Sequence, residues 1–165
     1  TLGMWGFACL SFILVPRLFK DNKISYVCAT IGSYIAMLSG LSFLGVGLTP
    51  ADLYFHEHVF FVIVGFRSMV PAMVFLTLAF FFSPVSNKYT VASVLFLLSI
   101  TLYAFFETSD PPDVSPRENL ELFKESVSYN RMVISVIAQK VITLISFVSF
   151  FVFTYGFYQL SLLKK

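Results

Sequence analysis

Five stretches of this 165-residue chain run for about 18 residues or more with hardly a charge in them, and that length constrains the fold more than any motif does. A helix rises about 1.5 Å per residue, so each stretch covers a hydrocarbon core of about 30 Å. Charged residues make up 12% of the chain, against about 25% in soluble domains. Too little solvating charge remains to coat a water-facing surface. The expected fold is all-α, a polytopic transmembrane helical bundle in a single domain over 1–165. Its five visible spans lie at about 2–19, 24–48, 50–82, 89–106 and 131–163.

Each span carries its own local signals. The first ends around Pro16-Arg17 and Lys20. The second holds Gly32, Ala36 and Gly40 at four-residue spacing, a pattern that lets another helix backbone come close in lipid. The third opens on Thr49-Pro50-Ala51-Asp52, which reads as a hydroxyl cap, a proline at the first helical position and a carboxylate in the first turn. Running to Phe82 it exceeds one crossing, so it tilts or projects, and Pro71 removes the donor for the Arg67 carbonyl. Between the fourth and fifth spans lies the polar stretch 107–130. Ser109 to Asp113 reads as a loop, and Ser115-Pro116-Arg117-Glu118 reads as a cap. Leu120, Phe123 and Val127 then make the apolar face of a short amphipathic surface helix. Phe60-Phe61 and Phe80 to Phe82 read as lipid contact or helix packing. Cys9 and Cys28 sit in apolar stretches as small hydrophobes, with no disulfide framework.

Charge sets the expected orientation. Arg17, Lys20, Lys23, Lys88, Lys164 and Lys165 fall on one side with Asp21. The other side holds Asp52, Glu57, Glu107, Asp110, Asp113, Glu118, Glu121 and Glu125 against Arg117, Lys124 and Arg131. Lysine and arginine favour the cytoplasmic side, so the C-terminus is expected inside and 107–130 outside. Five spans leave Thr1 outside; a sixth helix upstream would put both ends inside, the commoner arrangement.

Ionisable groups within a membrane are costly and point to function. Arg67 and Lys140 qualify. Asp52 and His56 stand one helical turn apart, Arg67 falls near the same face, and Gln139 precedes Lys140. The six residues Asp52, His56, His58, Arg67, Gln139 and Lys140 therefore form a candidate polar cluster in the outer half of the membrane. It could lock helices together, hold a lipid headgroup or small anion, or line a proton or ion path. His56-Glu57-His58 is a poor metal site, because residues two apart on a helix point about 200° around the axis. No Gly-x-Ser-x-Gly or glycine-rich phosphate loop occurs, and the basic groups are too scattered for nucleic acid. No cofactor is expected.

Two segments carry a family resemblance. Gly45-Val46-Gly47-Leu48-Thr49-Pro50, followed by Asp52 and by His56 or His58, resembles a glycine-rich helix end leading into a histidine-opened helix. Gln139-Lys140-Val141-Ile142 after a polar loop resembles the start of a final helix. Both are similar to the DRAM-like superfamily of six-helix membrane proteins and to related prokaryotic families of unknown function. The resemblance implies six helices with cytoplasmic ends, and His58 (or His56), Gln139 and Lys140 as the matching polar positions. It also implies a role of the kind linked to that superfamily: autophagy regulation, membrane lipid organisation or lipid-anchor remodelling.

The functional expectation is a non-enzymatic membrane protein that binds or organises lipid, or packs as an accessory subunit among other membrane subunits. Its cations would hold a phosphate-bearing headgroup while phenylalanine-rich faces hold acyl chains. Two alternatives come from other classes: a membrane-embedded lipid-modifying enzyme with His56 or His58 as general base, and a small transporter.

Overall fold

The computed structural model describes residues 2–106, 117–126 and 129–163. Among them every regular element is helical: α1 (Leu2–Leu10), a 3-10 segment (Ser11–Phe19), α2 (Lys23–Leu48), α3 (Phe55–Phe81), α4 (Asn87–Phe106), α5 (Leu120–Ser126) and α6 (Tyr129–Leu162). The first expected span thus changes winding at Ser11, and Pro16, which has no N–H to donate, lies inside the tighter part. The loop expected at Ser109 to Asp113 and the cap expected at Ser115-Pro116 lie outside the described residues, as does Val127.

Helix α2 starts where Asn22 Oδ1 accepts from the Ile24 and Ser25 amides at 2.9 and 3.2 Å. The same side chain donates through Nδ2 to the Phe82 carbonyl at 3.0 Å. One asparagine therefore caps a helix and ties the α1–α2 turn to the α3–α4 turn. These turns carry Lys20, Lys23 and Lys88, so the basic groups gather at one end of the molecule. At the other end Phe55 meets Phe123 of α5 edge to face, with centroids 6.0 Å apart.

The start of α3 departs from the expected grammar. Thr49 closes α2 instead of opening α3: its amide and its hydroxyl both donate to the Gly45 carbonyl, at 3.0 and 2.8 Å. Pro50 begins a turn whose carbonyl accepts from Leu53 and Tyr54, and α3 begins at Phe55. Asp52 sits in this turn and shares no helical register with His56. Similarly, α5 is capped by Asn119, whose Oδ1 accepts from Glu121 and Leu122 at 3.1 Å. Its exposed face carries the Lys124–Glu121 pair at 3.1 Å, worth little in water.

The elements pack in chain order: α1 and the 3-10 segment on α2, α2 on α3, α3 on α4, and α4 on α6, which returns to the 3-10 segment and closes a ring. Aromatic side chains fill the basic end of that ring. Phe80 stacks on Phe157 at 5.2 Å, and Phe19 meets both edge to face at 5.4 and 6.3 Å. Gly32, Ala36 and Gly40 are all buried, but they serve two partners. A Cβ on Gly32 would come within 3.0 Å of the Ala72 carbonyl on α3. One on Gly40 would lie 2.7 Å from Cys9 Cβ and 2.9 Å from the Gly6 carbonyl. Four helical residues advance about 400°, so each step turns the small-residue stripe by about 40°. Eight residues carry it from one neighbour to the next.

Hydroxyl side chains share the interior with large apolar ones, and many large apolar side chains also face outward. Ser25, Ser33, Ser39, Ser42, Thr77, Ser93 and Ser149 are buried, whereas Phe7 and Leu48 are 72% and 79% exposed. In water large apolar side chains go inside; in lipid small and hydroxyl residues make the helix contacts. Two such contacts cross between helices: Ser39 Oγ donates to the Gly65 carbonyl at 2.7 Å, and the Thr77 and Ser93 hydroxyls pair at 2.6 Å. By length and composition α2 and α3 are able to cross a membrane, and the apolar stretches Gly6–Phe19 and Lys140–Ser149 are shorter.

Candidate functional site

The end of the molecule formed by the α2–α3 turn and α5 holds the histidines. His58, half-buried in the first turn of α3, has Nδ1 2.5 Å from the Thr49 carbonyl oxygen. A carbonyl only accepts, so Nδ1 carries the proton in this contact. His58 thereby ties the start of α3 to the end of α2. His56 is exposed and lies edge to face with the Phe55 ring at 5.7 Å. Asp52 and Glu57 are exposed as well. Among the described residues no three His, Cys, Asp or Glu side chains gather as metal ligands.

Arg67 is exposed on the outer face of α3, in line with Phe60, Pro71, Val74 and Leu78. Twelve residues separate it from Phe55 and fourteen from Phe81, about 18 and 21 Å along the axis, so it stands near the middle of the helix. It makes no hydrogen bond or ion pair among the described residues. Pro71, one turn on, has no N–H for the Arg67 carbonyl. Lys140 is likewise exposed and stands eleven residues after Tyr129, about 17 Å along α6. Gln139 precedes it, and its side chain lies outside the described residues.

No described contact joins Arg67 or Lys140 to Asp52, His56 or His58. The aromatic contact between α3 and α6 is at Phe80 and Phe157, about 20 Å along α3 from Arg67. What the structure presents is a pinned histidine at one end and two outward cations on separate helices. Such cations can attract anions, but they do not share one pocket. Sequence reasoning missed the hydroxyls that join helices, because Ser39, Thr77 and Ser93 look ordinary in isolation. It also missed a polar cavity at the basic end, although Tyr26, Thr30, Ser33 and Met37 recur at helical spacing and mark it. Family models, characterised proteins and solved structures give no match to this chain.

Proposed function

We propose that the chain is a polytopic, non-enzymatic integral membrane protein that binds and organises membrane lipid, with its basic end in the cytoplasm. The observation carrying this reading is Arg67: a mid-helix cation, exposed, on a face otherwise made of Phe60, Val74 and Leu78. A cation at the centre of a spanning helix costs about 2.5–3.5 kcal/mol on insertion scales. A phosphate oxygen reached by the flexible side chain offsets that cost, and the flanking apolar residues suit acyl chains. Lys140 offers the same on α6. The many outward-facing large apolar side chains support the membrane setting, and the resemblance to the DRAM-like superfamily accords with a lipid-related role.

The test is lipid analysis of purified wild type and Arg67→Ala. Loss of an anionic phospholipid from the variant is expected, and an identical lipid complement would remove Arg67 from the proposal. A second reading, an accessory subunit whose partner helix carries an acid opposite Arg67, is favoured by the exposed Arg67 guanidinium, which has no ion pair among the described residues. Co-purification of one stoichiometric membrane partner, lost in Arg67→Ala, would establish it.

A further inference from the structure

At the basic end, away from Arg67, a cavity of about 150 Å³ opens between the 3-10 segment and α2. Pro16 and Arg17 line one wall; Tyr26, Thr30, Ser33 and Met37, spaced four, three and four apart, line the other. Most helical hydroxyls here are spoken for by the carbonyl one turn back: Thr30 donates to Tyr26 at 2.8 Å, Ser42 to Leu38 at 3.1 Å, Ser68 to Val64 at 2.6 Å and Ser99 to Leu95 at 2.8 Å. Ser25 and Ser33 break the pattern, and of the two Ser33 lines the cavity. Ser33 is 2% exposed and its Oγ has no hydrogen-bond partner, a costly state for a buried hydroxyl unless something enters to meet it.

The opposite wall adds polarity for a separate reason. In an i to i+3 ladder the Ile13 carbonyl would receive the N–H of residue 16, and Pro16 has none. The rim is cationic on balance, with Arg17, which has a partner of its own, in the wall and Lys20 and Lys23 on the adjoining turn against Asp21. Its mouth lies on the outer surface of the bundle, since Ile13, Tyr26 and Tyr34 are exposed. A ligand therefore arrives sideways, from the surrounding lipid. The volume holds a benzene-sized group, enough for part of a phosphate–glycerol unit, whose remainder lies in the open mouth.

We propose that this cavity is a second lipid site, for the phosphate–glycerol region of an anionic glycerophospholipid in the leaflet at the basic end. The phosphate lies against Arg17 and the Tyr26 hydroxyl, and a glycerol ester carbonyl accepts from Ser33 Oγ, with acyl chains along Ile13 and Met37. The site rests on the membrane reading above but not on Arg67.

Native mass spectrometry tests it, on protein released from nanodiscs of phosphatidylcholine with a minor fraction of phosphatidylglycerol. Wild type is expected to retain one phosphatidylglycerol here, in addition to any held at Arg67. Ser33→Leu, which fills the cavity, should lower retention roughly ten-fold. Arg17→Gln and Ser33→Ala, which leave packing intact, should lower it several-fold, and Arg67→Ala should leave this lipid in place. Retention unchanged in Arg17→Gln and Ser33→Ala overturns the proposal, as does displacement of the lipid by inorganic phosphate, which would mark a small-anion site. A chain that never enters the nanodisc removes the membrane reading and this site together. One that enters and keeps its lipid regardless of Arg17 and Ser33 removes this site alone.

Discussion

Replacing Gly65 by alanine should separate α2 from α3, and the structure says by how much. A Cβ at residue 65 would lie 2.8, 3.0 and 3.2 Å from three atoms of the Phe43 ring, where carbon atoms prefer about 3.5–4.0 Å. Phe43 has no room to yield: it is 2% exposed and locked edge to face on Phe66 at 5.1 Å, and Phe66 rests on Tyr103 of α4 at 4.5 Å. Relief therefore needs a shift of the helices by about half an ångström or more, which also strains the Ser39–Gly65 hydrogen bond. Overpacking of this kind costs about 1–3 kcal/mol. For a chain of this size a cost near 2 kcal/mol lowers Tm by roughly 4–8 °C. Phe43→Leu alone leaves a void and costs about 1–2 kcal/mol. In the double variant the alanine methyl occupies part of that void, so the two losses should fall short of their sum by about 1 kcal/mol. Thermal unfolding in detergent, followed by circular dichroism, measures all four corners of the cycle. Additive losses would show that Gly65 and Phe43 do not meet as described and would refute the reasoning.

Three further outcomes are expected. Thr77→Val removes one member of the buried pair with Ser93 and should cost about 0.6–1.7 kcal/mol in the same unfolding assay, whereas adding Ser93→Ala should recover part of it, because no hydroxyl is then stranded. Asn22→Asp keeps the cap acceptor but loses the donor to Phe82, so it should destabilise less than Asn22→Ala, whose cap loss alone is about 1 kcal/mol. In cells expressing variants that lack Cys9 and Cys28, an impermeant thiol reagent added outside should label Glu121→Cys at once and Lys20→Cys only after permeabilisation; equal labelling would contradict the orientation proposed from charge.

The all-helical character of the described residues was legible in the sequence because apolar length is a local property, visible one segment at a time; two of the five expected spans, α2 and α3, are long and apolar enough to cross a membrane. Boundaries were less so. Thr49-Pro50-Ala51-Asp52 fits a helix start, yet Thr49 is drawn back to the Gly45 carbonyl, and two adjacent helices compete for one cap in a way no local pattern resolves. The change of winding at Ser11 had only Pro16 as a hint. Gly32 and Gly40 were read as packing residues from their spacing, but the atoms they lie against depend on which helices stand on either side. The candidate cluster was read from cations and histidines along single helices. Whether such residues meet depends on the order of helices around the ring, which chain position alone does not encode.

That ring also bears on how the chain assembles. Each of the first four helical elements finds its neighbour in the next piece of chain to emerge, so their packing can proceed during synthesis with little loop to close. The return of α6 to the 3-10 segment is different, since it joins elements more than a hundred residues apart. Until Phe157 arrives, Phe12, Phe19 and Phe80 lack the ring that touches all three. The basic end is thus the seam of the molecule: the last part to be sealed as the chain matures and the first to come apart when its final helix is withdrawn.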